Sequence, residues 1–143
     1  MPEIAVVCDT SVVLKWFHEE GEEGVADARR LLALGRDGHL TAWVLDLTFY
    51  ELGNALLRGL DWPAAPVGRL LDALRVIAPV AAVGAAELRV AAELGETHEL
   101  TFYDAAYAAA ARSRGAALAT HDEHLLDCGE GKLPSAILAQ LAE

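Results

Sequence analysis

A chain of 143 residues, 54% apolar and 23% charged, is long enough to bury a core and is read as one domain over 1–143. No stretch approaches the roughly 18 apolar residues of a membrane span, and Met1-Pro2-Glu3-Ile4 lacks the basic head of a signal peptide, so no membrane association and a cytoplasmic location are expected. A formal charge of −11 argues against a broad basic face for nucleic acid. It leaves room for a basic protein partner, or for a carboxylate site whose bound cations invert the local sign.

Residues 4–8 form an apolar run ending at Asp9, as a buried parallel strand would. Cys8 lies inside it as a buried reduced thiol, and Cys128 has no partner at metal-ligand spacing, so neither zinc nor a disulfide framework is expected. Thr10 or Ser11 can cap the helix that follows, and residues 22–36 read as a second helix stopped near Gly35 and Gly38. Residues 40–44 are the second strand. Asp46 or Thr48 then opens a helix with Leu45, Phe49, Leu52 and Leu56 on one face and Glu51, Asn54 and Arg58 on another.

Asp61-Trp62-Pro63 reads as a cap with proline in the first turn of a helix reaching about Leu74. Residues 76–80 are a strand candidate whose Pro79 belongs at an edge or an end. Residues 85–94 and 101–114 are helices, the latter closed by Gly115. Residues 116–120 form another short strand, 122–126 a helical turn or two, and 127–132 a Gly-rich loop; 135–141 fits strand or helix equally. Strands alternating with helices predict a parallel sheet covered on both faces.

Four acids stand out along this frame: Asp9, Glu51, Asp104 and Asp122. Each has an ordinary explanation. Asp9 and Asp122 can cap helices, Asp104 sits at capping-box spacing after Thr101, and Glu51 can be a solvated mid-helix residue. Their joint placement points further. Asp9 and Asp122 follow strands, Asp104 opens the helix leading into the last strand, and Glu51 lies one turn into a helix after strand two. Ligand sites of open α/β sheets lie beyond the carboxyl ends of the strands. Carboxylates gathered there repel unless protonated or bridged by cations, and a hard divalent ion, Mg²⁺ or Mn²⁺, suits an all-oxygen donor set.

Around this set, Thr10, Ser11 and Thr120 can add hydroxyl contacts, with helix capping an equal reading for the first two, and Asn54 can hold Glu51 or a ligand. Lys15, Arg112 and Arg114 are candidates for a substrate backbone or plain surface cations. His121 beside Asp122 is not favoured as a catalytic base, and Trp16, Trp43 and Trp62 read as core or interface.

Asp9-Thr10-Ser11 after strand one, Glu51-Leu52-x-Asn54-Ala55-Leu56, Tyr103-Asp104-Ala105-x-Tyr107-x-Ala109-x-Ala111 and Thr120-x-Asp122 occur in the order seen in PIN-domain nucleases, and the chain resembles them from about Ile4 to Leu126, the VapC-type toxins most of all. The resemblance implies an α/β fold: a three-layer α/β/α domain with a short parallel central sheet and an acidic pocket for Mg²⁺ or Mn²⁺. It also implies endonucleolytic cleavage of RNA by a homodimer held in check by a small antitoxin, here one with a basic or amphipathic segment. By position, Asp9, Glu51, Asp104 and Asp122 match the family's acidic set and Thr120 its hydroxyl residue.

The reaction so implied is hydrolysis of an RNA phosphodiester by metal-activated water, with Asp9, Asp104 and Asp122 as metal ligands and Glu51 completing the shell or orienting the water. Two alternatives stand beside it. One is a PIN-like binding module without activity. The other is a haloacid-dehalogenase-like phosphoryl transfer through Asp9, against which Ser11 stands where a second aspartate is needed.

Overall fold

The computed structural model describes residues 3–143. Its four strands are β1 (Ala5–Cys8), β2 (Thr41–Leu45), β3 (Val80–Ala81) and β4 (Ala117–Ala119), all parallel in the order β3-β2-β1-β4. Val7 pairs with Trp43 on one side and Leu118 on the other, so β1 lies inside the sheet. The helices are α1 (Thr10–Phe17), α2 (Val25–Arg36), α3 (Asp46–Asn54), α4 (Ala64–Ile77), α5 (Ala85–His98), α6 (Phe102–Ser113), α7 (Glu123–Asp127) and α8 (Pro134–Leu141).

Period-two alternation along the strands divides the apolar residues between two cores. Val6, Cys8, Ala42, Val44 and Ala119 face the first, with α1, α2, α3, α4 and α8. Val7, Leu45, Ala81 and Leu118 face the second, with α5, α6 and α7. The three-layer α/β/α fold read from the sequence is the fold observed. Within it, α6 is buried on every side from residue 105 to 111: six alanines and Tyr107. A helix apolar all round belongs inside, and its methyl side chains let it pack closely between α5 and the sheet.

Several boundaries differ from those expected. α2 starts at Val25 instead of residue 22, because Gly24 takes a left-handed conformation (φ 69°) and Glu22 turns back to pair with Lys15. Leu45 is the last residue of β2, not a face of α3. Asp61 does not cap α4: it lies at φ 58°, Pro63 takes the cap position, and the helix begins one residue later. The run 76–80 is mostly not strand. α4 continues through Ile77, which packs on the first core and leaves Val76 exposed, and only Val80 and Ala81 pair with β2. Branched residues at the end of an amphipathic helix had the composition of a strand.

α3 runs into a five-residue π-helical turn, Ala55–Gly59, closed by Leu60 N–H to the Ala55 carbonyl at 3.0 Å. α5 is a turn longer than expected, and the undecided 135–141 is helical, with Pro134 in the first turn of α8. The Gly-rich loop is partly ordered by the sheet. Lys132 bridges to Ala119 as one further parallel residue, donating to the Leu118 carbonyl at 2.8 Å and accepting from Thr120 N–H at 3.0 Å.

Candidate carboxylate site

β1 and β4 end side by side, and the Asp9 N–H extends their ladder by bonding the Ala119 carbonyl at 3.1 Å. This puts Asp9 at the seam between two strand ends, as the N-cap of α1, with only 4% of its surface exposed. Its Oδ1 accepts from Ser11 Oγ at 2.5 Å and Val12 N–H at 3.3 Å, and its Oδ2 accepts from the Thr120 hydroxyl. Ser11 Oγ in turn accepts from His121 N–H and Thr120 Oγ1 from Asp122 N–H, each at 2.9 Å. The residue expected at the site is thus also the cap of α1. Burial pushes the Asp9 carboxyl up to about 6, hydrogen bonds from Ser11, Thr120 and Val12 oppose that, and the charge of Asp104 adds to it.

Glu51 reaches the same rim from α3. Its Oε1 accepts from Thr10 Oγ1 and from the Tyr107 hydroxyl, both at 2.8 Å. Tyr107 Oη also lies 2.8 Å from Thr48 Oγ1 and 3.0 Å from Thr10 Oγ1, and Thr48 Oγ1 accepts from Leu45 N–H at 3.1 Å. A carboxylate only accepts, which fixes the direction of the chain: Thr48 donates to Tyr107, and Tyr107 and Thr10 both donate to Glu51. Burial and the Glu51 charge raise the phenol far above its ordinary value, so it stays a donor.

Asp104 stands in the first turn of α6, its N–H bonded to the capping Thr101 hydroxyl at 3.2 Å. Burial raises its carboxyl, as do the charges of Asp122 and, more weakly, Glu51; Thr101 and His124 pull the other way. Asp122 caps α7, its Oδ1 accepting from Leu125 N–H at 3.1 Å. Asp104 is therefore the electrostatic hub, in the field of Asp122 and Glu51 and itself acting on Asp9. Asn54 is not drawn in: it is exposed and makes no side-chain hydrogen bond among the described residues.

Among the described residues none of these four carboxylates forms an ion pair. Asp122 Oδ2 and Glu51 Oε2 accept no hydrogen bond there either. An uncompensated, partly buried acidic cluster of oxygen donors has the chemistry of a hard-cation site. Its geometry is open: no three described His, Cys, Asp or Glu side chains converge closely enough to hold an ion as they stand. A cation would have to draw the rim together.

The basic residues considered for substrate contact are engaged elsewhere. Lys15 is buried against Glu22 at 3.0 Å, Arg112 forks onto Glu130 with both contacts at 2.7 Å, and Arg114 bonds Glu87 at 2.9 Å while stacking over Trp43. The His121 ring turns away toward Gly24, its Nε2 buried without a partner, and burial with the Lys15 charge lowers its pKa. Cys8 and Cys128 are both free thiols, Cys8 buried and its pKa pushed up by burial.

Sequence reasoning missed Tyr107, Thr48 and Gly131. A tyrosine three residues after Asp104 in an alanine run must find a hydroxyl partner once buried, and that was the available signal. Gly131 had none in the sequence. A β-carbon there would collide with the Thr120 methyl and meet Leu125 Cβ at 3.3 Å, so only glycine lets the returning loop press Thr120 toward Asp9.

A family model described as PIN domain matches residues 6–130. Exonuclease VapC9 of Pyrobaculum aerophilum is 38% identical over 138 residues, covering 84% of this chain and 96% of that protein. Among solved structures, Mycobacterium tuberculosis VapC20, a sarcin–ricin loop cleaving toxin, superposes with a TM-score of 0.68 at 21% identity, over 87% of this chain and 95% of its own. VapBC2 from Rickettsia felis, bound to a DNA fragment from its promoter, gives 0.70 at 14% identity over 91% and 97%. At such identities the two structures speak for the fold.

Proposed function

Because the chain belongs to the PIN-domain family and is related to the VapC toxins, we propose that it is a metal-dependent endoribonuclease, the toxin of a toxin–antitoxin pair. The observation that carries the reading is the rim itself: Asp9, Glu51, Asp104 and Asp122 share one electrostatic site with no ion pair among the described residues. Asp9, Asp104 and Asp122 would hold Mg²⁺ or Mn²⁺. Such an ion, when bound, polarises the phosphoryl oxygen and lowers the pKa of the attacking water.

The chain's own side chains have separable tasks in that scheme. Ser11 and Thr120 hold Asp9 in one orientation and keep it ionisable despite burial. Thr10 and Tyr107 tie down Glu51 Oε1 and leave Oε2 to orient the attacking water and accept its proton. No side-chain nucleophile is needed. Ser11, where a dehalogenase-like enzyme needs its second aspartate, is instead a donor to Asp9, which disfavours an aspartyl-phosphate route.

The partner is proposed to be an antitoxin whose basic or amphipathic segment covers the acidic rim, with the toxin itself a homodimer; a structure of the same fold from Klebsiella pneumoniae is a toxin–antitoxin complex. RNA as substrate is supported by the name of VapC20, and exonucleolytic cutting is a second reading because VapC9 is named an exonuclease. A labelled circular RNA separates the possibilities. With Mn²⁺ the protein should open the circle, and EDTA or Asp9→Asn should prevent it. Cutting of linear RNA alone assigns an exonuclease, and no cutting of either under any metal leaves the binding module.

A further inference from the structure

The charged and aliphatic hydroxyl side chains buried among the described residues are Asp9, Thr48, Thr120 and Lys15. The first three belong to the rim and its support. Lys15, 7% exposed, is paired instead with Glu22, its Nζ donating to Oε1 at 3.0 Å across the connection between α1 and α2. A buried lysine needs a partner, and a buried ion pair is often no more stabilising than apolar residues of the same volume. What the pair holds in place is therefore the better clue to its role.

Glu22 stands in the middle of the connection, residues 18–24. Its N–H turns back onto the Glu19 carbonyl at 3.0 Å, and Glu19 in turn accepts from Arg29 of α2, whose Nε bonds the Lys15 carbonyl at 3.0 Å. Two residues past Glu22, Gly24 (φ 69°) lies against the His121 ring, so close that a β-carbon would come within 2.9 Å of Cε1. The charges of Lys15 and Glu22 both reach that ring. Its Nε2 is buried without a partner among the described residues, and so is Nδ1 of His18, 3.8 Å from Glu22 Oε2. A buried nitrogen without a partner is better satisfied in water, so the ring stays inside only while the connection is closed over it. The backbone of the same residue serves the rim. His121 N–H donates to Ser11 Oγ at 2.9 Å, Ser11 donates to Asp9, and Thr120 and Asp122 flank it.

We propose that Lys15 and Glu22 are positioning residues of the carboxylate site: their pair latches the α1–α2 connection over His121 and so fixes residues 120–122 against Ser11 and Asp9. The inference rests on the metal-dependent reading of the rim and adds a support that touches none of its carboxylates. Contiguous packed and hydrogen-bonded groups are what carry such coupling.

The double substitution Lys15→Met/Glu22→Gln tests it, because it removes the latch without leaving an unpaired buried charge. The metal-free variant should melt near the natural temperature. Its amide hydrogen exchange should show lost protection at His121 N–H, with Val7 and Leu118 in the sheet as protected as before. Calorimetry should find Mn²⁺ bound about 10-fold more weakly, the lower end of what outer groups are worth to a metal site, and kcat should fall with KM unchanged. His121→Ala removes the ring beneath the latch and keeps its N–H. It should show the same loss, and adding the double substitution to it should cost nothing more. Natural exchange at His121 and natural Mn²⁺ affinity in the double variant overturn the latch and leave the nuclease reading standing. Losses that add between His121→Ala and the double substitution overturn it too, since the pair then acts by another route. A double variant that melts far below the natural protein makes the pair a stabiliser of the connection, which also overturns the proposal. If the natural protein binds no Mn²⁺, both readings fall.

Discussion

Asp9 is buried at the seam of β1 and β4 and accepts three hydrogen bonds, whereas Asp104 stands half-buried on the first turn of α6 with Thr101 as its supporting hydroxyl. The two carboxyls are raised for the same first reason, burial, but they differ in what holds them. One end of the rim is organised by three hydrogen bonds before any ligand arrives; at the other, Asp104 has one hydroxyl beside it. An ion arriving at such a site would meet a fixed anchor in Asp9 and a less constrained donor in Asp104.

The contrast can be broken most sharply at the fixed end. Asp9→Asn should lower RNA cleavage by at least about 100-fold, the upper end of what a lost supporting group costs a metal site. The same substitution should leave the thermal midpoint of the metal-free protein at pH 8 unchanged or raised, since it removes a buried charge of similar shape. A large fall in that midpoint would mean that the carboxylate itself stabilises the seam.

Tyr107→Phe tests the second layer behind Glu51. Losing a hydroxyl that donates to a carboxylate should cost about 1.5–3 kcal/mol of stability. We expect a fall of about 10-fold in kcat with KM little changed, because Tyr107 positions Glu51 without touching RNA. A change in KM alone would place the hydroxyl in substrate binding. Thr120→Val removes the donor to Asp9 Oδ2, so the acidic limb of the pH–rate profile should move to higher pH, and Gly131→Ala should act in the same direction by displacing Thr120.

Stability against pH follows from the same burial. The folded Asp9 value of about 6 lies above the ordinary 3.8, so its contribution to the metal-free protein is full below pH 3.8 and is lost as pH rises through about 6. Melting of the metal-free protein should show that loss between pH 4 and 7, and Mn²⁺ should stabilise more at pH 7.5 than at 5.5, where protons compete. The smallest effect is expected at Arg112→Gln. Its pair with Glu130 is surface-exposed, worth about 0.2–1 kcal/mol, and cleavage should not change.

How far the sequence carried these conclusions differs by element. β1 and β4 were readable because each is a short apolar run ending at a polar residue, and the alternation Val6, Val7, Cys8 splits between the two cores. Residues 76–80 were not, because branched residues occur both in strands and at the ends of packed helices, and only long-range packing decided for α4. The four acids were readable through motif order, yet their support was hidden in residues whose chemistry looks ordinary. Thr48 reads as a cap, Gly131 as a loop residue and Tyr107 only as a position in a motif, and only the fold brings them behind Glu51 and Asp9. Asn54 shows the converse: a residue on the Glu51 side of a helical wheel that ends α3 in solvent.

Calorimetric titration of Mn²⁺ into the natural protein and Asp104→Asn, at pH 7.5 and 5.5, asks whether the acidic rim holds a cation. Expected are binding at pH 7.5 with release of protons, weaker binding at pH 5.5, and at least about 10-fold loss in Asp104→Asn, the lower end of what a metal site loses with one supporting group. Absence of binding at pH 7.5, or equal affinity in the natural protein and Asp104→Asn, would contradict a cation site at the rim.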